Sequence, residues 1–127
     1  MTFSTRAVNA KANAIAELLD GGVLEICAGE PPKDADKAVS DYAPLARLTF
    51  DVPAFDAADE GVIVAQAIGP EEAAPGAGTA RWFRCLTADG YPVLDGAIGP
   101  ELTLSSTTIL VGTRVTIEQF TYTEPKE

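Results

Sequence analysis

The chain is predicted to be mainly β: an antiparallel β-sandwich, jelly-roll-like, preceded by one short N-terminal helix. Three observations lead there. Helical periodicity occurs once, near the N-terminus. Seven or eight short apolar runs follow, divided by Gly, Pro and Asp turn signals. No later helical pattern exists to carry parallel crossovers between strands. The chain has 127 residues, which fits a single domain over 1–127 that buries roughly two thirds of its unfolded surface.

The helix is expected over about 5–19. Ser4 or Thr5 supplies the cap, and Val8, Ala12, Ile15 and Leu19 form one narrow apolar stripe. A stripe so thin and alanine-rich suits packing on a sheet edge or on a neighbouring subunit. Asp20-Gly21-Gly22 ends it, because glycine accepts the left-handed position after a helix. Val23 to Cys27 reads as the first strand. The stretch 28–44 holds Pro31, Pro32 and Pro44, the acids Glu30, Asp34, Asp36 and Asp41, and Lys33 and Lys37. That composition predicts a long mobile loop, which is either a binding arm or a disordered segment.

Leu45 to Val52 alternates, with Ala46, Leu48, Phe50 and Val52 on one face. Phe55 reads as an anchor packed back on the core, and 62–67 as a further short strand. The Gly, Pro and Ala of 69–78 predict a mobile connection. Next comes the clearest pairing signal. Over 79–87, Ala80, Trp82, Arg84 and Leu86 point one way and Arg81, Phe83 and Cys85 the other. Asp89-Gly90 suits a two-residue hairpin turn, and Val93, Leu94, Ala97 and Ile98 return. Pro92 has no amide hydrogen and belongs at an edge, while Asp95-Gly96 suggests a bend or bulge. Leu102 and Leu104 alternate with Thr103 and Ser105. In the final run, Val115 and Ile117 fall on one parity and Phe120 and Tyr122 on the other, which a bulge near Glu118-Gln119 reconciles.

Charge and composition exclude several kinds of chemistry. The formal charge is −10, from nineteen acidic and nine basic residues, so the surface repels phosphate backbones and a nucleic-acid partner is not expected. Such a surface either serves solvation or docks on a basic one. There is no histidine, which removes Ser-His-Asp and Cys-His arrangements and the commonest nitrogen ligand for zinc. No phosphate-binding loop is present, and Gly76-Ala77-Gly78 is too short for a dinucleotide site. Asp56, Asp59 and Glu60 cluster, as do Glu71 and Glu72, but in turns without an aromatic platform. Asp34 and Asp36 lack the remaining ligands of a calcium loop. No run approaches the ~20 apolar residues of a membrane helix, so no membrane partner is expected. Cys27 and Cys85 read as buried reduced thiols, and a bridge between them is left open. Arg81 and Arg84 bracket Trp82 and Phe83. They can stack on a ring, pair with acids of the long loop, serve a subunit contact or stabilise the sheet.

A family resemblance rests on an ordered set of segments. These are Asn13-Ala14-Ile15-Ala16-Glu17-Leu18-Leu19-Asp20-Gly21-Gly22, the Gly29-Glu30-Pro31-Pro32 loop, Gly78-Thr79-Ala80-Arg81-Trp82-Phe83-Arg84, and the two Asp-Gly pairs 89–90 and 95–96. The chain resembles small virion structural proteins of tailed bacteriophages. The resemblance implies a non-enzymatic sandwich that decorates or cements a capsid lattice, or sits in the tail. It also implies assembly into the virion in the host cytoplasm, homo-oligomers, and the major capsid protein or other virion proteins as partners. It implies no cofactor and no catalytic residue. Under this reading the contact residues are Pro31, Pro32, Lys33, Lys37, Tyr42, Arg81 and Arg84. The alternative is a carbohydrate- or receptor-binding module of a tail or fibre. A small hydrolase using Asp or Glu is the third class.

Overall fold

The computed structural model describes residues 1–36, 44–99 and 101–127. Lys37 and Tyr42, two of the expected contact residues, lie outside them. Among the described residues one helix, α1 (Thr5–Leu18), precedes nine strands: β1 (Val23–Cys27), β2 (Ala46–Thr49), β3 (Val62–Val64), β4 (Gly78–Thr79), β5 (Trp82–Leu86), β6 (Pro92–Ala97), β7 (Leu102–Leu104), β8 (Thr108–Ile109) and β9 (Ile117–Thr123). The fold is mainly β and every strand pair is antiparallel. The described strands form sheets in the orders β2-β1-β5-β6, β3-β9-β7 and β4-β8. They therefore make groups of four, three and two.

Helix α1 starts where Ser4 accepts the Ala7 N–H, 3.1 Å, on its hydroxyl. Val8, Ala12, Ala16 and Leu19 are its buried positions, and Ile15 is only half-buried. Polar side chains fasten it to the segment leading into β3: Asn9 accepts the Gly61 N–H at 2.7 Å and Asn13 the Ala58 N–H at 2.9 Å. Asp20, just past the helix, accepts the Ala54 N–H at 2.8 Å. The helix thus packs beside β3, an edge strand, which is one of the two placements its thin stripe predicts.

The two larger sheets meet in a sandwich-like arrangement through an aromatic cluster centred on Phe120. Its ring lies 5.2 Å from Phe83 and 5.6 Å from Phe55, both edge-on, and 6.2 Å from Phe50. Leu24, Ile26, Leu48 and Cys85 from the four-stranded sheet and Ile63 and Leu102 from the three-stranded one fill the space around it. Edge-on ring pairs of this kind contribute about 0.5–1.5 kcal/mol each beyond the area they bury. Phe120 reaches this position because residue 118 is extra: Thr103 pairs with Gln119 but Leu104 with Ile117. The bulge expected near Glu118-Gln119 is therefore present, and it turns Phe120 inward.

Other expectations are corrected. The β5–β6 loop has three residues, because Gly90 donates to Thr87 C=O at 2.9 Å and Thr87 N–H to Tyr91 C=O at 2.8 Å. Only Gly90, with φ 89°, takes the left-handed conformation there, as in a type I turn followed by a one-residue bulge. The register shift in this hairpin falls between Cys85 and Leu86, not at Asp95-Gly96. Val52 is 68% exposed because β2 ends at Thr49 and the chain then bonds back to the helix end, Phe50 N–H to Gly22 C=O at 2.9 Å. Leu45, expected on the outer face, is buried against Gly76 and Gly78. The connection 69–78 is pinned: Gly69 N–H bonds to Thr49 C=O at 2.9 Å and Ala74 N–H to Thr113 C=O at 2.8 Å.

Candidate interface on the outer face of the four-stranded sheet

The inner face of the four-stranded sheet serves the core, so its outer face holds what remains of the chemistry. Period two sends Val23, Glu25 and Cys27 of β1, Trp82, Arg84 and Leu86 of β5, and Asp95 and Ala97 of β6 to that side. Pairing then aligns one charged residue from each strand. Glu25 stands opposite Arg47 on one side and Arg84 on the other, and Arg84 opposite Asp95. The row reads positive, negative, positive, negative across the sheet.

Its members are bonded as well as aligned. Arg47 Nε lies 3.1 Å from Glu25 Oε2. Arg84 binds Asp95 with both arms of its fork, Nε to Oδ1 at 2.7 Å and the terminal nitrogen to Oδ2 at 3.0 Å. Glu25 and Arg84 are only 6% and 5% exposed, and charged groups are that buried only when paired. The Arg84 guanidinium also lies 5.6 Å from the Trp82 ring. Trp82 Nε1 donates to Ala28 C=O at 3.1 Å, which ties the start of the long loop to the sheet. Cys27, one row from Glu25, has its thiol pushed up to about 12, first by burial and then by the Glu25 carboxylate.

Above this face, the loop after β1 forms one wall of a groove of about 620 Å³. Pro31, Pro32 and Lys33 line that wall; Trp82 and Ala97 line the floor and Arg81 stands at its side. Four of the expected contact residues therefore converge: Pro31, Pro32, Lys33 and Arg81. Arg84 does not line the groove; it is buried beneath, where Asp95 pairs with it across the sheet. Arg81 is exposed and makes no ion pair or side-chain hydrogen bond with any described residue.

The acidic clusters hold loops together. Asp56 accepts from the Gln66 amide, Glu71 from the Arg47 N–H at 3.1 Å, and Glu72 from Arg114 Nε at 3.2 Å. Asp34 accepts the N–H of Asp36 at 3.0 Å, a turn contact. Cys27 and Cys85 are free thiols and belong to opposite faces of adjacent strands, which rules out a bridge. Sequence reasoning missed Glu25, Arg47 and Asp95. The signal was a lone acid inside the apolar run Val23-Leu24-Glu25-Ile26-Cys27, since an acid within a buried strand implies a cation beside it.

No protein-family model, no curated protein and no solved structure matches the chain.

Proposed function

We propose that the domain is a bacteriophage virion structural protein that decorates or cements the head lattice through protein–protein contacts, with the major capsid protein as its main partner and no catalytic role. The observation that supports this reading best is the groove over the outer sheet face. Its wall is a proline-stiffened loop, its floor carries Trp82 and Ala97 beside Asp95, and Arg81, which pairs with no described residue, stands beside it. Apolar area ringed by charge is the composition of a protein-binding surface. The −10 net charge adds steering toward a basic patch on a shell. Lattice stabilisation would come from many copies of one modest contact.

Co-sedimentation with purified shells tests it. A variant lacking residues 30–42 is expected to keep the wild-type circular dichroism spectrum and to leave the shells undecorated. A folded deletion variant that sediments with shells as the intact chain does would remove this surface from the reading.

A further inference from the structure

The edge of β6 (Pro92–Ala97) differs from those of β2 and β3. On β2, two of the outward groups are taken: Thr49 C=O accepts from Gly69 at 2.9 Å and the Arg47 N–H donates to Glu71 at 3.1 Å. On β3, Val64 C=O accepts from Asp56 at 2.9 Å. For β6, Ile98 N–H bonds to Arg81 C=O at 3.2 Å, so alternate residues backward from 98, Gly96 and Leu94, direct their backbone groups at β5. Those of Asp95 and Ala97 then point away from the sheet. No described residue bonds to them. The groove runs along this same strand.

We infer that β6 is a docking edge for an extended segment of the shell protein, which adds as a fifth strand and carries a Lys or Arg opposite Asp95. The charged row sets that chemistry. It alternates Arg47, Glu25, Arg84, Asp95 and stops on an acid at the open edge, so the next strand continues it with a cation. The main chain of Asp95 and Ala97 supplies the hydrogen bonds, and side chains at alternate positions enter the groove beside Pro31 and Pro32. A second copy of this chain fits poorly, because pairing β6 with β6 brings two Asp95 rows and two bodies of charge −10 together.

The inference rests on the decoration reading for the identity of the partner, and the test separates the two. Shells are mixed with the intact chain, with Ala97→Pro, and with a chain bearing a photoreactive benzoylphenylalanine at position 97. Ala97→Pro deletes an outward N–H, follows a glycine and leaves the β5 ladder intact. Amide exchange of Asp95 and Ala97 is followed in the intact chain, which needs no variant to fold. The expected result is decoration by the intact chain, exchange at both amides slowed about tenfold or more on shells, and occupancy reduced about tenfold by Ala97→Pro. The photo-adduct should lie in a shell segment with a Lys or Arg within two residues. Decoration with unchanged exchange, undiminished binding by Ala97→Pro, or an adduct in a segment without a cation overturns the inference and leaves the decoration reading standing. Failure of the intact chain to bind shells overturns both.

Discussion

The Phe83 ring lies across the backbone of Gly96, its partner in register, so closely that a methyl group on Gly96 would sit 2.4 Å from the ring's Cζ. Glycine is required at 96 for space, since its φ is not in the left-handed region. Gly96→Ala is expected to destabilise the fold by about 1–3 kcal/mol through overpacking. Urea unfolding measures it, and adding Phe83→Leu to the same chain should recover part of the loss.

Removing one member of the buried row should cost more than removing a pair. Arg84→Met leaves the Asp95 carboxylate without its bidentate cation and is expected to cost about 3–5 kcal/mol. The double change Arg84→Met with Asp95→Leu leaves fewer uncompensated charges and should lose less than the single one. Guanidinium unfolding of the set gives the comparison, and equal losses would show that the Arg84–Asp95 link contributes little.

Both thiols should be silent in the folded protein. Burial raises Cys27 to about 12 and Cys85 well above its ordinary value, so neither carries useful thiolate near neutral pH. A thiol-reactive disulfide reagent at about pH 8 is expected to modify neither until denaturant is added, and then both. Rapid modification of the native protein would contradict the packing around β1 and β5.

The C-terminal strand carries a pH-sensitive contact. The Tyr122 hydroxyl donates to Glu124 Oε2 at 2.6 Å, and Lys11 Nζ lies 2.9 Å from Glu124 Oε1. Burial, and then the bond to Glu124, lift the Tyr122 phenol from 10.0 to about 12. A proton held more tightly in the folded state contributes fully below the unfolded value and is lost as pH rises through the folded one. The Tyr122 contribution should therefore fade between 10.0 and about 12. Glu124 moves the other way: the Tyr122 bond and then Lys11 lower it, so its contribution is present above the ordinary carboxyl range and lost in acid. Melting temperature against pH should lose its alkaline decline over that window in Tyr122→Phe, with the acid limb altered less.

Local chemistry was readable wherever one residue type left little choice. Ser4 began the helix, Gly21 followed its end, Gly90 placed the hairpin loop and the parity switch before Phe120 required a bulge. The charged row was not readable, because it depends on which strands become neighbours. Glu25 and Arg84 are 59 positions apart in sequence and meet only through the β1–β5 pairing, which no local pattern encodes. The same holds for the pinning of 69–78, where small residues that look mobile are held by carbonyls on β2 and on the turn before β9. The groove was half legible. The prolines and Lys33 marked one wall, but its floor lies on strands whose order the sequence left open.

The junction of α1 with the last residues has a further consequence. Phe3 N–H bonds to Lys126 C=O at 2.7 Å and Lys126 Nζ to Thr5 Oγ1 at 3.1 Å, so the polypeptide comes in and goes out at one spot. A linker of a few residues would join the two and let the chain be reopened at the 88–90 loop as a circular permutant. In that rearrangement β5 and β6 would become the two extremities, and their pairing, now the most local in the protein, would become its most distant. The permutant should reach the same architecture more slowly, as loop closure over nearly the whole chain replaces a three-residue reversal.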